Sequence, residues 1–372
     1  MLRIFFRKKK INKKDFFSFQ KYAQLQSYRS VLNYYERRYL MEDKKMTRRQ
    51  LMRDGAMAAA SVAVGLGAKA AAGASANTSK ILNYNPNMEY RRQGKTNLMV
   101  SAVCLGGHSG SNQKQRNEIV SRAIDVGVNY IDACTKEEVV RDAEALKGRR
   151  DKMYLALSHC GQETRNENYR TAKKLLESLD EVLKDSGQDY TDLWRITCFE
   201  PGGRHSFNTS CEMVDALETA KKQGKARFIG FSTHDRRWIK FMIEYFPQID
   251  CVCFPFTTMT KQAPTDSVFE VLRKQDVGAF GIKPFAAGSL FTKDDKTNFE
   301  RARLAIRYIL HSNTVIPIPG MNSIAEVDNV AKAVMERREL DLKETAELDS
   351  INRQALAKLP VDYQWLKNWQ YV

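Results

Sequence analysis

At 372 residues the chain has room for two average domains or one large barrel of about 250 residues. Its 43% apolar and 28% charged residues exclude disorder over most of its length. The net charge of +16 points to nucleic acid only until it is located: residues 1–76 hold 17 of the 60 Lys/Arg and 5 of the 44 Asp/Glu, leaving 43 against 39 beyond. So balanced a globular part offers no phosphate-backbone surface, and no nucleic-acid partner is expected.

Residues 1–45 are basic and aromatic without steady periodicity, and Met41 and Met46 lie close to the next feature. A translation start assigned too far upstream is the expected reading. Residues 46–76 read as an export signal. Thr47-Arg-Arg-Gln-Leu-Met-Arg53 resembles the twin-arginine motif, with Leu51 where Phe is commoner. An Ala/Gly-rich run from Ala56 to Ala68 follows, shorter than the roughly 20 residues of a membrane span, and then the small-residue cleavage site Ala74-Ser-Ala76. The signal implies the twin-arginine export machinery as a partner, a periplasmic destination in a bacterium, no permanent membrane span, and an oxidising setting for the cysteines.

The seven cysteines (104, 134, 160, 198, 211, 251, 253) lack the C-x-x-C spacing of a metal clip. Buried thiols are the default, and a Cys160–Cys198 disulfide is a secondary possibility if strand alternation turns both thiols outward on neighbouring strands.

From Met88 onward short apolar runs alternate with amphipathic stretches. The runs are 100–105, 128–131, 153–158, 193–198, 228–231, 251–256, 278–284 and 315–319; the helical patterns include Tyr169–Lys184 and Ile324–Glu336. Eight strand–helix units make a (β/α)8 TIM barrel over residues 77–372, with an irregular second crossing. A doubly wound sheet is the alternative, but no G-x-G-x-x-G follows an early strand. Four aromatics in the last fourteen residues are expected to pack on the barrel. Asp132, just past the run 128–131, sits where a barrel strand opens towards ligand, although an acid there also serves as a turn-former or helix cap.

Six fragments resemble the aldo/keto reductases in that family's order. They are Tyr90-Arg-Arg-Gln-Gly-Lys-Thr-Asn-Leu-Met-Val-Ser101, Cys104-Leu-Gly-Gly107, Gly127-Val-Asn-Tyr-Ile-Asp132, Tyr190-Thr-Asp-Leu-Trp-Arg-Ile-Thr197, Lys225-Ala-Arg-Phe-Ile-Gly-Phe-Ser-Thr-His234 and Ile316-Pro-Ile-Pro-Gly-Met-Asn322. The resemblance implies a barrel that reduces a small carbonyl or sugar-like substrate with NAD or NADP, using an Asp, a proton-donating Tyr, a Lys and a His. Here only Asp132 is kept. The following loop is shorter and has no Tyr, His159 stands at the Lys position and Thr197 at the His position. Asp132 and His159 at neighbouring strand ends are an expected acid–base pair, with Arg195 a second partner for Asp132. Equally, His159 and Arg195 serve only to neutralise a leftover acid, which describes a catalytically silent barrel binding a ligand at its mouth.

On the cofactor side, the resemblance implies Ser232 and Thr233 at the nicotinamide amide. Cys253 stands where the family has Gln. Lys283, Pro284, Phe285 and Gly288 fall in a loop over the pyrophosphate, and Gly320, Asn322 and Ser323 at an adenosine-phosphate site on a helix start. Asn322 replaces the usual cation there, giving NAD a slight preference over NADP. Gly320 is alternatively only a turn before the helix.

Overall fold

The computed structural model describes residues 81–108, 110–198, 206–261, 263, 265–293 and 295–369. The start at Met41 or Met46, the export signal, its cleavage site and Tyr371 lie outside the described residues.

An antiparallel hairpin, β1 (Tyr90–Arg92) and β2 (Met99–Ser101), opens the described chain. Eight parallel strands follow in sequence order: β3 (Leu105–Gly106), β4 (Tyr130–Ala133), β5 (Tyr154–Leu157), β6 (Thr191–Thr197), β7 (Ala226–Ser232), β8 (Cys251–Pro255), β9 (Gly278–Ile282) and β10 (Ile316–Pro317). Cys104 and Gly106 donate their amides to Pro317 and Pro319 at 3.0 and 2.9 Å, joining first strand to last. The sheet is therefore a closed (β/α)8 barrel, with no edge left to pair with another chain.

The apolar run 100–105 divides between two elements. Ser101 donates its hydroxyl to Val103 O at 2.7 Å, turning the chain so that Val100 belongs to the hairpin and Leu105 to the barrel. The side chain of Asn129, fully buried, accepts from Ser101 N and donates to Met99 O and Leu82 O, tying the hairpin to the base of β4. Gly94, at φ +48°, approaches Asp276 and Gly278 so closely that a Cβ would lie 2.4 Å from backbone. Only glycine lets the hairpin turn seat against this end of β9.

The outer helices are α1 (Gln113–Asp125), α2 (Lys136–Ala145), α3 (Ala172–Ser186), α4 (Phe207–Lys222), α5 (Arg236–Tyr245), α6 (Val268–Lys274), α7 (Asp295–Ser312), α8 (Ile324–Met335) and α9 (Leu342–Lys358). The second crossing thus contains an ordinary helix, α2, whose N-cap Thr135 lies two residues beyond β4. Two apolar layers result. Leu105, Ile131 and Leu155 face outward onto α1 and α8, whereas Cys104, Tyr130, Ala156, Leu193, Cys253 and Phe280 fill the barrel interior. Tyr130 and Phe280 stack there with centroids 4.6 Å apart.

The C-terminal tail, a 3₁₀ segment at Val361–Asn368, packs on the barrel as its aromatics predict. Trp365 stacks on His234 at 4.0 Å and Trp369 lies 6.2 Å from Phe254. Among the described residues no helix is long and apolar enough to cross a membrane.

Candidate active site

The strands end at a cavity of about 630 Å³. Asp132, the third residue of β4, lies on its floor. The strand register brings Asp132 beside Ala156 and Ala156 beside Leu193, so Arg195, two residues further along β6, faces the same interior. Ala156 carries only a methyl group, and the guanidinium reaches across it. Arg195 Nε donates to Asp132 Oδ2 at 2.7 Å, and its Nη2 donates to Oδ1. Both residues are buried. Burial pushes the Asp132 carboxyl up, against the lowering pull of Arg195. Burial works against the Arg195 charge, but Asp132, together with Cys253 and Cys134, raises its pKa well above the ordinary value.

His159 lies elsewhere, which corrects the expected Asp132–His159 pair. After β5 the chain turns into a 3₁₀ segment at Cys160–Gln162, and the imidazole leaves the barrel axis. Its Nδ1 lies 3.1 Å from Ser178 Oγ on α3. Burial lowers its pKa, so the ring is held neutral and away from the cavity. Thr197 does line the cavity. Its hydroxyl lies 2.6 Å from that of Ser158, and its amide donates to Glu163 at 2.6 Å.

A second polar group was not anticipated from the sequence. β3 ends at Gly106, and His108 follows at the rim with Nδ1 2.5 Å from Glu138 Oε1. Glu138 sits in the first turn of α2 and also accepts the Cys134 amide at 2.7 Å through Oε2. The short β4–α2 connection, in which no Tyr stands, is what brings Glu138 there. Gly107 allows the close packing: a Cβ would lie 2.7 Å from both Asp132 O and Glu138 Oε2. Contact with Cys134 and then with Glu138 raises the His108 pKa to about 10, keeping the ring protonated. The available signal was positional, since His108 and Cys134 each lie just past a strand end, where barrel side chains reach ligand.

The residues implied for a cofactor divide in two. Ser232, Lys283, Pro284, Phe285, Gly288 and Gly320 all line the 630 Å³ cavity. A cavity of about 310 Å³, containing Asn322 and Ser323, shares Phe285, Phe291 and Gly320 with it. Together they make an elongated groove. The loop after β9 is strained: Lys283, Ala286 and Ala287 have φ of +57°, +49° and +55°, a conformation that clusters at ligand clamps.

Thr233 and Cys253 lie outside this lining. Thr233 is buried and its hydroxyl accepts the Asp235 amide at 3.1 Å; Cys253 lies in the barrel interior. Two anion-binding features also differ from expectation. The amides of Ala286, Gly288 and Ser289 turn back to carbonyls of their own loop. At the start of α8 the Ser323 hydroxyl caps Glu326 N at 3.2 Å, while Glu326 Oε2 accepts Asn322 N at 2.6 Å. The chain's own carboxylate thus occupies the helix N-terminus, where the dipole favours negative charge. The start of α8 therefore presents a carboxylate rather than a cation to the smaller cavity.

All seven cysteines are free, so the Cys160–Cys198 bond is absent. Cys198 Sγ packs 3.5 Å from Met213 Sδ of α4, whereas Cys160 lies beside Cys134 at the mouth. Among the described residues no cluster of His, Cys, Asp and Glu is arranged to hold a metal ion.

A closed eight-stranded barrel whose ion pair, rim imidazole and elongated groove meet at the strand C-termini has the layout of a TIM-barrel enzyme. The aldo/keto reductase family profile matches residues 102–302, and the chain belongs to that family. It is 22% identical over 305 residues to L-galactose dehydrogenase of Arabidopsis thaliana, covering 71% of this chain and 94% of that one. It is 26% identical over 229 residues to L-glyceraldehyde 3-phosphate reductase of Escherichia coli, covering 55% of this chain and 64% of that relative's length. Among solved structures, the holo form of an aldo-keto reductase from Bacillus halodurans superposes with a TM-score of 0.58 at 20% identity, over 71% of this chain and 96% of the other. An aldo/keto reductase from Klebsiella pneumoniae in complex with NADP and acetate gives 0.55 at 20% identity, over 71% and 95%. At such identities the superpositions carry the fold alone.

Proposed function

We propose that this chain is a nicotinamide-dependent oxidoreductase of small carbonyl or sugar-like substrates, with a rebuilt acid–base set. One observation carries the reading: the Asp132–Arg195 pair and the protonated His108 open into the same cavity as Ser232 and the loop 283–288. When bound, the cofactor supplies the hydride. Reduction leaves negative charge on the carbonyl oxygen, which needs fixed donors and an acid. Arg195, immobilised by Asp132, is the fixed cation. His108, kept charged by Cys134 and Glu138, is the proton donor. Lys283 lies over the Tyr363 ring at 4.8 Å, holding the tail against the loop 283–288 beside the cavity. The sugar-related names of two relatives support the substrate class.

NAD is the preferred cofactor in this reading, because Glu326 repels a 2′-phosphate and accepts from a ribose hydroxyl. Fluorescence titration of the purified chain with NADH and NADPH, followed by turnover assays on small aldehydes and aldoses, tests both points. Turnover that His108→Gln lowers roughly 10²-fold or more, with cofactor affinity retained, is the expected result. Binding without turnover turns the assignment to a ligand-binding barrel, and binding of neither cofactor ends it.

Residues 46–76 carry a separate proposal, that they direct twin-arginine export and are removed to leave a mature terminus near Asn77. The motif, apolar run and Ala74-Ser-Ala76 support it. Export unimpaired by Arg48→Lys with Arg49→Lys would overturn it.

A further inference from the structure

We infer that Cys134 and Cys160 form a redox-active dithiol at the barrel mouth, whose substrates are low-molecular-weight disulfides. β4 and β5 run side by side, and just beyond their ends the Cys160 amide donates to the Cys134 carbonyl at 3.1 Å. A direct amide–carbonyl bond keeps two α-carbons within the range of about 4.4–6.8 Å in which a disulfide forms. The same bond sets the two residues side by side at the mouth. Cys134 lines the 630 Å³ cavity, so a small molecule reaches it from solvent. Its backbone is fixed from α2 by the 2.7 Å bond to Glu138.

The charges around the pair favour a thiolate. His108 after β3 and Arg195 on β6 bring two cations to Cys134. The nearby anions are each bound: Asp132 by Arg195, Glu138 by His108, and Glu163 by the Ser158 hydroxyl and the amides of His159 and Thr197. The Cys160 hydrogen bond, then His108, holds Cys134 well below the usual thiol range, and the same contact pushes Cys160 up. The other thiols lack this setting. Cys104, Cys251 and Cys253 are buried in the barrel interior, Cys198 faces Met213, and burial raises Cys211 to about 11.

The chemistry closes in two exchange steps. The Cys134 thiolate attacks one sulfur of a disulfide R–S–S–R, forming Cys134–S–S–R and releasing RS⁻. The mixed disulfide carries no charge at Cys134, so the contact that held the Cys160 proton is gone. That proton passes to the departing RS⁻; the Cys160 thiolate then attacks Cys134 Sγ, expelling a second RS⁻ and closing the Cys134–Cys160 bond. Two electrons leave the dithiol and reduce one R–S–S–R to one RSH and one RS⁻, the second taking its proton from solvent.

The test uses the full-length reduced chain in buffers of stepped oxidised-to-reduced glutathione ratio, quenched with acid and mapped under non-reducing conditions. A linked 134–160 peptide that forms and disappears reversibly with the ratio is expected. Cys160→Ser should instead trap one glutathione on Cys134, and Cys134→Ser should give neither product. On the wild-type chain, where folding of a variant is not at issue, iodoacetamide at pH 7 should label Cys134 at least tenfold faster than Cys211. Free alkylation of both thiols at the most oxidising ratio, or labelling of Cys134 no faster than Cys211, would overturn the inference.

Discussion

Arg195 on β6 holds Asp132 on β4 through two hydrogen bonds that pass over Ala156 of the intervening strand. The pair is almost wholly enclosed, with side-chain exposures of 4% and 5%. In such a place a lone charge is costly, whereas removing both charges is often close to neutral. Arg195→Met or Asp132→Asn alone is therefore expected to lose about 3–5 kcal/mol in denaturant unfolding. The double variant should recover most of that stability while staying inactive. A double variant that regains turnover would show the pair to be structural only.

Ala156 makes the pair possible by being small. Ala156→Leu places a branched side chain in the path of the guanidinium. Overpacking of this kind costs about 1–3 kcal/mol. Substrate turnover should fall further than stability, because Arg195 is displaced from the cavity floor. Retained kcat with an ordinary KM would show that the guanidinium reaches Asp132 by another route.

His159 gives a pH signature. Burial against α3 lowers its pKa, so folding favours the neutral ring. Its contribution to stability is therefore full above the unfolded value of about 6.5 and is lost as the pH falls through the lowered folded value. The melting temperature should drop between pH 7 and pH 5, and His159→Gln should flatten that drop. A similar drop in the variant would assign the acid sensitivity to other groups.

Glu326 bears on cofactor choice. Its carboxylate accepts the Asn322 amide at the opening of α8. Glu326→Ala should improve NADPH affinity relative to NADH by roughly tenfold, the factor that 1.4 kcal/mol of lost repulsion gives. It should also cost about 0.3–1.5 kcal/mol of stability through the weakened helix start. An unchanged NADPH-to-NADH ratio would remove Glu326 from the discrimination.

Trp365 anchors the tail on His234. Trp365→Ala should loosen the segment carrying Asp362 and Tyr363, both of which line the cavity. Faster proteolysis after residue 359 and a raised KM are expected, with little change in melting temperature. Equal proteolysis in the two proteins would show the tail to be held by Leu366 and Trp369 instead.

The strand–helix order was legible in the sequence because each barrel strand is a short apolar run between amphipathic stretches, a periodic property that survives without coordinates. The position of Asp132 was legible for the same reason: it belongs to β4 itself, and so does the inward direction of Arg195 within β6. Tertiary structure decided the partners. His159, Cys160 and Cys134 lie beyond their strand ends, where period-two alternation no longer dictates direction. There a turn at Cys160–Gln162 sends His159 out to α3 and sets Cys160 beside Cys134. His108, Cys134 and Glu138 come from three different elements and converge only because the β4–α2 connection is short and Gly107 has no side chain. Likewise Glu326 lies unmarked within the helical pattern Ile324–Glu336, and it comes to occupy the start of α8 only once that helix begins at Ile324 beside the smaller cavity. Local sequence patterns govern the direction of a side chain only while the backbone repeats; at a strand end or a helix start, the neighbouring elements govern it.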